Sequence, residues 1–236
     1  MITSLSSHLI VFQVMAIRTQ VKYYYDIISP FAWFGFEGLC RYQKPWNLDL
    51  QLRPINLGRV MSASGNAPTG SGHNAFKYLT IKRDFERASE MMEIPFKPMA
   101  DYAETVYIKG SVPTLKTLAA CQIMYPGHLN ELSRQAWLGL YSRHVDITDE
   151  QNIIQFAEAA QIPDIDQLMD FSRSTEARQQ LIDNTAEALD SKCFGVPWFT
   201  VINPSTGRRE KFFGSDRIEM LGWVIGKEYM GIHPPQ

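Results

Sequence analysis

The sequence predicts an α/β fold in which a small sheet domain is interrupted by a long all-helical insertion. Three observations carry that expectation. A strand, a helix and a second strand follow one another between Val21 and Pro54. Helical periodicity then holds from Ala75 to Lys192. A β-hairpin and one more helix close the chain.

Val21–Ile28 holds Val21, Tyr23, Tyr24, Tyr25, Ile27 and Ile28, the β-branched and aromatic content of a strand buried on both faces. Ser29-Pro30 stops it, because Ser favours the N-cap and Pro the first helical position. From Phe31 to Tyr42, apolar residues on nearly every side predict a helix buried against the sheet. In Leu48–Pro54, Leu48, Leu50 and Leu52 alternate with polar residues, as in a second strand. Such a βαβ unit crosses over right-handedly. Residues 56–74, rich in Gly, Ser, Asn and Pro, read as a long functional loop.

The helical block follows. Ile81, Phe85, Ala88 and Met92 recur at three and four, and Ser111-Val112-Pro113 starts another helix. Leu129, Leu132, Ala136 and Leu140 form a third stripe, and Thr148 with Gln151 suggests a capping box. Thr175–Lys192 is the last long helix of the block. The sheet resumes after Gly195-Val196-Pro197. Trp198–Ile202 and Arg209–Phe213 flank the turn residues Asn203-Pro204-Ser205-Thr206-Gly207, and Gly214-Ser215-Asp216 caps a final helix bearing Ile218, Leu221 and Ile225. With the helical block set aside, the order β-α-β, β-β-α is that of a thioredoxin-like core. The expected units are residues 21–74 with 193–236 as the sheet domain and 75–192 as the insertion.

Composition bounds the function. With 236 residues and 45% hydrophobic content the chain can bury a sizeable core, and a net charge of −2 gives no basic surface for nucleic acid. The three cysteines, Cys40, Cys121 and Cys193, form neither a redox pair nor a metal-ligand pair. No metal and no permanently bound cofactor is expected. Residues 1–20 read as an N-terminal extension. Its apolar run Leu9–Ile17 is too short to span a bilayer, so no transmembrane segment is expected. Frequent Ser, the basic Arg18 and Lys22, and no acidic residue before Asp26 give a weak mitochondrial-type signature, with a plain extension as the other reading. The final Pro234-Pro235-Gln236 is not the Ser-Lys-Leu type of peroxisomal address.

The chemistry concentrates at the first strand–helix junction. A thioredoxin-like redox protein carries Cys-x-x-Cys there, where the helix N-terminus lowers the thiol pKa. This chain has Ser29-Pro30-Phe31-Ala32 instead. A scaffold suited to a thiolate, without a sulfur of its own, points to a thiol brought in as a ligand. Glutathione is the obvious soluble intracellular thiol. Ser29 would donate its O–H to that sulfur. Taken alone, Ser29 reads as an ordinary N-cap. Val196 before Pro197 would pair its backbone with the cysteinyl unit of an extended tripeptide. Ser215 and Asp216, at a second helix start, suit the carboxylate and ammonium of a γ-glutamyl end.

The stretch Tyr25-Asp26-Ile27-Ile28-Ser29-Pro30-Phe31-Ala32-Trp33 resembles the kappa-class glutathione transferase signature. Ser64-Gly65-Asn66, Phe194-Gly195-Val196-Pro197 and Phe213-Gly214-Ser215-Asp216-Arg217 continue the likeness. The resemblance implies a thioredoxin-like fold with an inserted helical domain, as in DsbA-like proteins, and a homodimer. It also implies conjugation of glutathione to small electrophiles such as halogenated aromatics, with peroxide reduction as a second activity. By position, Ser29 becomes the catalytic residue, and Ser29, Pro30, Phe31, Asn66, Val196, Ser215 and Asp216 the glutathione contacts. The family resides in mitochondria or peroxisomes. The C-terminus favours mitochondria, with peroxisome or cytoplasm as alternatives. One departure stands out: where relatives carry basic residues shortly after the Asn-bearing loop, this chain has Asn74-Ala75. Rival readings are a 2-hydroxychromene-2-carboxylate isomerase, a non-catalytic thioredoxin-fold binding protein, and a disulfide oxidoreductase depending on Cys193.

Overall fold

A computed structural model describes residues 18–66, 75–99 and 104–235. The expected extension up to residue 17 and the loop from 67 to 74, which includes Asn74, lie outside the described residues. A four-stranded sheet has the order β2-β1-β3-β4. Strand β1 (Thr19–Tyr25) pairs parallel with β2 (Leu48–Pro54) and antiparallel with β3 (Trp198–Ile202). Strand β4 (Arg209–Phe213) closes the hairpin against β3.

Side chains alternate across β1, so its two faces meet different helices. The Tyr23 hydroxyl donates to the Ala32 carbonyl of α1 (Pro30–Gln43) at 2.6 Å. On the other face, Lys22 forms an ion pair with Glu187 of α8 (Thr175–Asp190). The sheet is thus covered on both sides of β1, where Val21, Tyr23, Tyr24 and Tyr25 are fully buried. It ends at Tyr25, three residues before the expected end at Ile28. Asp26–Ser29 forms a turn in which the Ser29 N–H donates to the Asp26 carbonyl at 3.1 Å. Ile27 and Ile28 are buried there without being in a strand, so composition alone extended β1 too far.

The expected loop after Asn56 begins instead with a helix, α2 (Leu57–Ser64). The Asn56 side chain caps it by accepting from the Arg59 N–H, and Gly65 at φ 70° ends it. The helical block consists of α3 (Ala75–Met92), α4 (Val112–Met124), α5 (Leu129–Leu138), α6 (Glu150–Ala159), α7 (Ile165–Ser172) and α8, with π-helical turns at Glu104–Lys109 and Gly139–Arg143. The capping box expected at Thr148 does not form. Asp149 caps α6 through the Gln151 and Asn152 N–H groups, and the Thr148 hydroxyl donates to Asp146. Helix α9 (Ile218–Val224) follows β4, but neither Ser215 nor Asp216 caps it. Its N-cap is Arg217, which makes no side-chain capping bond.

The block is fastened to the sheet domain around the β1–α1 turn. The Tyr141 hydroxyl donates to the Ile28 carbonyl at 2.6 Å, the Ser111 hydroxyl to Asp26 at 2.7 Å, and the Tyr25 and Ser133 hydroxyls share a 2.6 Å bond. Arg134 of α5 grips both Glu37 oxygens on α1 at 2.8 and 3.1 Å.

Candidate active site

Ser29 sits where β1 has ended and α1 begins. Its φ of −101° and ψ of 114° are extended, and its hydroxyl oxygen accepts from the Ala32 N–H at 3.2 Å. The oxygen is thereby spoken for as a cap, but the hydroxyl proton is not. It points to the Val196 carbonyl at 3.4 Å, the long limit of a hydrogen bond. The Val196-Pro197 bond is cis. Gly35 makes this close approach of α1 possible. A Cβ there would lie 2.6 Å from the Tyr23 hydroxyl oxygen, 3.3 Å from Pro197 Cγ and 3.4 Å from Ser215 Cα. One glycine face on α1 therefore seats both the Pro197 loop and the turn after β4.

A cleft of about 510 Å³ opens beside this junction. It brings together Phe31, Val196, Ser215 and Asp216, with Phe213 and Gly214 between them. Ser29 and Pro30 precede Phe31 in the chain, are buried, and are not among the residues that line the cleft. Asn66 is not on the cleft wall. Its side-chain amide donates to the Phe194 carbonyl at 2.8 Å, bracing the segment that leads to Val196. Asp216 pairs with Arg217 at 3.1 Å. The opposite wall, missed by sequence reasoning, comes from α3: Asp84, Arg87, Ala88, Met91 and Met92. The apolar stripe of α3 was legible, but the sequence holds no sign that its edge would border this cleft.

The protein's own thiols are poor nucleophiles. Burial pushes Cys40 and Cys121 up to about 12 and Cys193 up to about 11. None of the three lines the cleft, and burial favours the protonated thiol in each. Among the described residues no group of three or more His, Cys, Asp or Glu is arranged to hold a metal. No described helix is long and apolar enough to cross a membrane.

Among the described residues, Asp26 is the one buried carboxylate close to Ser29. Burial raises it to about 6, against the N–H of Leu57, the Ser111 hydroxyl and the N–H of Ile28, which hold it down.

A thioredoxin-type sheet with a helical insertion, and a helix N-terminus without cysteine facing a cleft, define a DsbA-like protein without a redox pair. The DSBA-like thioredoxin domain family indeed matches residues 20–225. Glutathione S-transferase kappa 1 of Homo sapiens is 35% identical over 217 residues, 91% of this chain and 94% of the relative. Glutathione S-transferase kappa 2 of Caenorhabditis elegans is 26% identical over 214 residues, 91% of this chain and 95% of the relative. A solved 2-hydroxychromene-2-carboxylate isomerase superposes with a TM-score of 0.72 at 22% identity, over 88% of this chain and 94% of that one, a likeness of fold. The chain belongs to the kappa class of glutathione S-transferases.

Proposed function

We propose that this enzyme conjugates glutathione to small electrophiles, halogenated aromatics among them, and that Ser29 stabilises the glutathione thiolate. The observation that carries this reading is the Ser29 hydroxyl, which caps α1 through its oxygen while its proton holds only a 3.4 Å bond to Val196. A tripeptide laid along Val196 would donate its cysteinyl N–H to that carbonyl and free the Ser29 proton for the sulfur. Ser215 and Asp216 would take the γ-glutamyl carboxylate and ammonium, with Phe31 on the wall, Pro30 fixing the segment beside it, and Asn66 holding the 194–196 segment in place.

A free thiol titrates near ~8.5. A charge-assisted bond from Ser29, with the helix N-terminus behind it, would lower this by about one to two units, at about 1.4 kcal/mol each. The thiol proton leaves to solvent. The thiolate attacks the ring carbon bearing the halogen, a C–S bond forms, and halide departs. The apolar residues Phe31, Ala88, Met91 and Phe213 suit a flat aromatic acceptor. Peroxide reduction by the same thiolate, a homodimer and a mitochondrial location belong to this reading.

The test is Ser29→Ala. Glutathione affinity should change less than about threefold, while the ultraviolet thiolate absorbance of bound glutathione falls and conjugation drops by about tenfold or more, the equivalent of one pKa unit. Unchanged conjugation kinetics would remove Ser29 from the mechanism. Turnover of hydroxychromene carboxylate without consumption of glutathione would replace conjugation by isomerisation.

A further inference from the structure

Ser29 is carried by a four-residue turn, and Asp26 holds that turn to two other helices. One carboxylate oxygen accepts from the Ile28 N–H at 3.2 Å and from the Ser111 hydroxyl at 2.7 Å. The other accepts from the N–H of Leu57, the first residue of α2, at 3.0 Å. Asp26 is 1% exposed, so its carboxylate depends on donors from the protein rather than on water. Ser111 is the N-cap residue of α4, yet its hydroxyl makes no capping bond to its own helix. That hydroxyl is spent on Asp26 instead. An N-cap bond ordinarily stabilises its helix, so its diversion indicates that the Asp26 contact matters more here than the local cap.

We propose that Asp26 is a positioning residue for catalysis: its carboxylate ties the Asp26–Ser29 turn to the starts of α2 and α4 and so fixes where the Ser29 hydroxyl points. This rests on the reading that Ser29 holds the thiolate. The Ser29 hydroxyl holds the Val196 carbonyl only at 3.4 Å, a weak restraint, so its direction depends on the turn that carries it. Tyr141 holds the carbonyl of Ile28 from the far side, so the turn is pinned at both Asp26 and Ile28. Asn in place of Asp26 keeps the shape but faces its NH2 against one of the donors, so one bond is lost and the turn is loosened.

The experiment compares Asp26→Asn, Ser111→Ala, Ser29→Ala and the Asp26→Asn/Ser29→Ala double variant in the full chain. Readouts are glutathione affinity by calorimetry, bound-thiol pKa by thiolate absorbance, and conjugation of a chloronitrobenzene. Asp26→Asn should raise the bound-thiol pKa by about half to one unit, which cuts the rate at pH 6.5 by about three- to tenfold, with affinity changed less than about twofold. Ser111→Ala should act in the same direction and less, and it decides the matter if Asp26→Asn does not fold. In the Ser29→Ala background, Asp26→Asn should change the rate by less than about 1.5-fold and the thiol pKa by less than about 0.2 unit, because a residue acting through another is not additive with it. An undiminished effect in that background, or an unmoved thiol pKa in Asp26→Asn and Ser111→Ala, overturns the proposal. If Ser29→Ala shifts the thiol pKa and the Asp26 variants do not, only Asp26 falls. If Asp26→Asn shifts it and Ser29→Ala does not, the thiolate reading falls and takes this proposal with it.

Discussion

A buried carboxylate with three donors is still a poor place for a charge, and Asp26 shows the balance. Burial raises its pKa from an ordinary value near 4 to about 6 even though the N–H groups of Leu57 and Ile28 and the Ser111 hydroxyl favour the ion. The folded state therefore holds this proton more tightly than the unfolded chain does. The group's contribution to stability is greatest below pH 4 and declines as pH rises through 6. Stability falls over that window because the native state binds more protons there. A shift of about two units corresponds to about 3 kcal/mol. Asp26→Asn removes the titration. Whatever it loses in hydrogen bonding is the same at every pH, so its stability relative to the unsubstituted protein should rise by about 2–3 kcal/mol between pH 4.5 and 7.5. Urea denaturation at four pH values in that interval measures this directly. A difference that stays flat with pH would mean that Asp26 titrates normally. A site residue that costs stability at working pH fits a residue kept for position.

At the level of elements, Gly35 is where α1, the Pro197 loop and the turn after β4 meet. An added methyl would press on the Tyr23 hydroxyl at 2.6 Å, and Tyr23 cannot swing away: it is fully buried and stacked between Tyr25 and Phe199. Gly35→Ala should gain about 1 kcal/mol of helix propensity and lose about 1–3 to overpacking. The net expectation is a loss of up to about 2 kcal/mol in urea denaturation, with weaker glutathione binding as Pro197 is pushed outward. Gly58→Ala, on the open first turn of α2, should be within about 0.5 kcal/mol of neutral. Such close approaches are invisible in sequence, where Gly35 was one more small residue in an apolar helix. What was legible was periodic or punctuated. Leu48, Leu50 and Leu52 alternate and mark β2, and Ser29-Pro30 marks the start of α1. Helix α2 was missed because Gly, Ser and Asn were read as loop composition, although Asn56 and Gly65 are good start and stop residues. Asp149 outcompeted Thr148 for the cap of α6 because a carboxylate there reaches two N–H groups. The Arg87 and Met91 wall of the cleft depends on how α3 lies along α1, a packing choice that no local pattern encodes.

At the scale of the molecule, the sheet domain and the helical insertion share one foundation beneath Ser29. Arg134 of the insertion binds both Glu37 oxygens, reaches Glu131 at 2.6 Å, and lies over the Phe36 ring at 5.0 Å. Glu37 also accepts from the Trp33 indole N–H at 3.1 Å. The side chains of Arg134 and Glu37 retain 29% and 17% of their exposure, so water screens the pair in part. Removing Arg134 alone leaves Glu37 charged, sheltered and short of donors, and the loss should approach the lower end of what a broken buried pair costs, about 2–3 kcal/mol. For a chain of this size that lowers the melting temperature by about 4–12 °C. Arg134→Met should show that drop. Adding Glu37→Met should restore at least half of it, because two packed apolar side chains replace a stranded carboxylate. Both variants should still melt in a single transition followed in common by far- and near-ultraviolet circular dichroism, since Tyr141, Ser111 and Ser133 continue to tie the insertion to the β1–α1 turn. Two separated transitions would instead mean that Glu37 and Arg134 alone unite the two parts. In that case α3 could part from α1 without unfolding the sheet, and the cleft beside Ser29 would lose its far wall before the thiol-binding turn lost its shape.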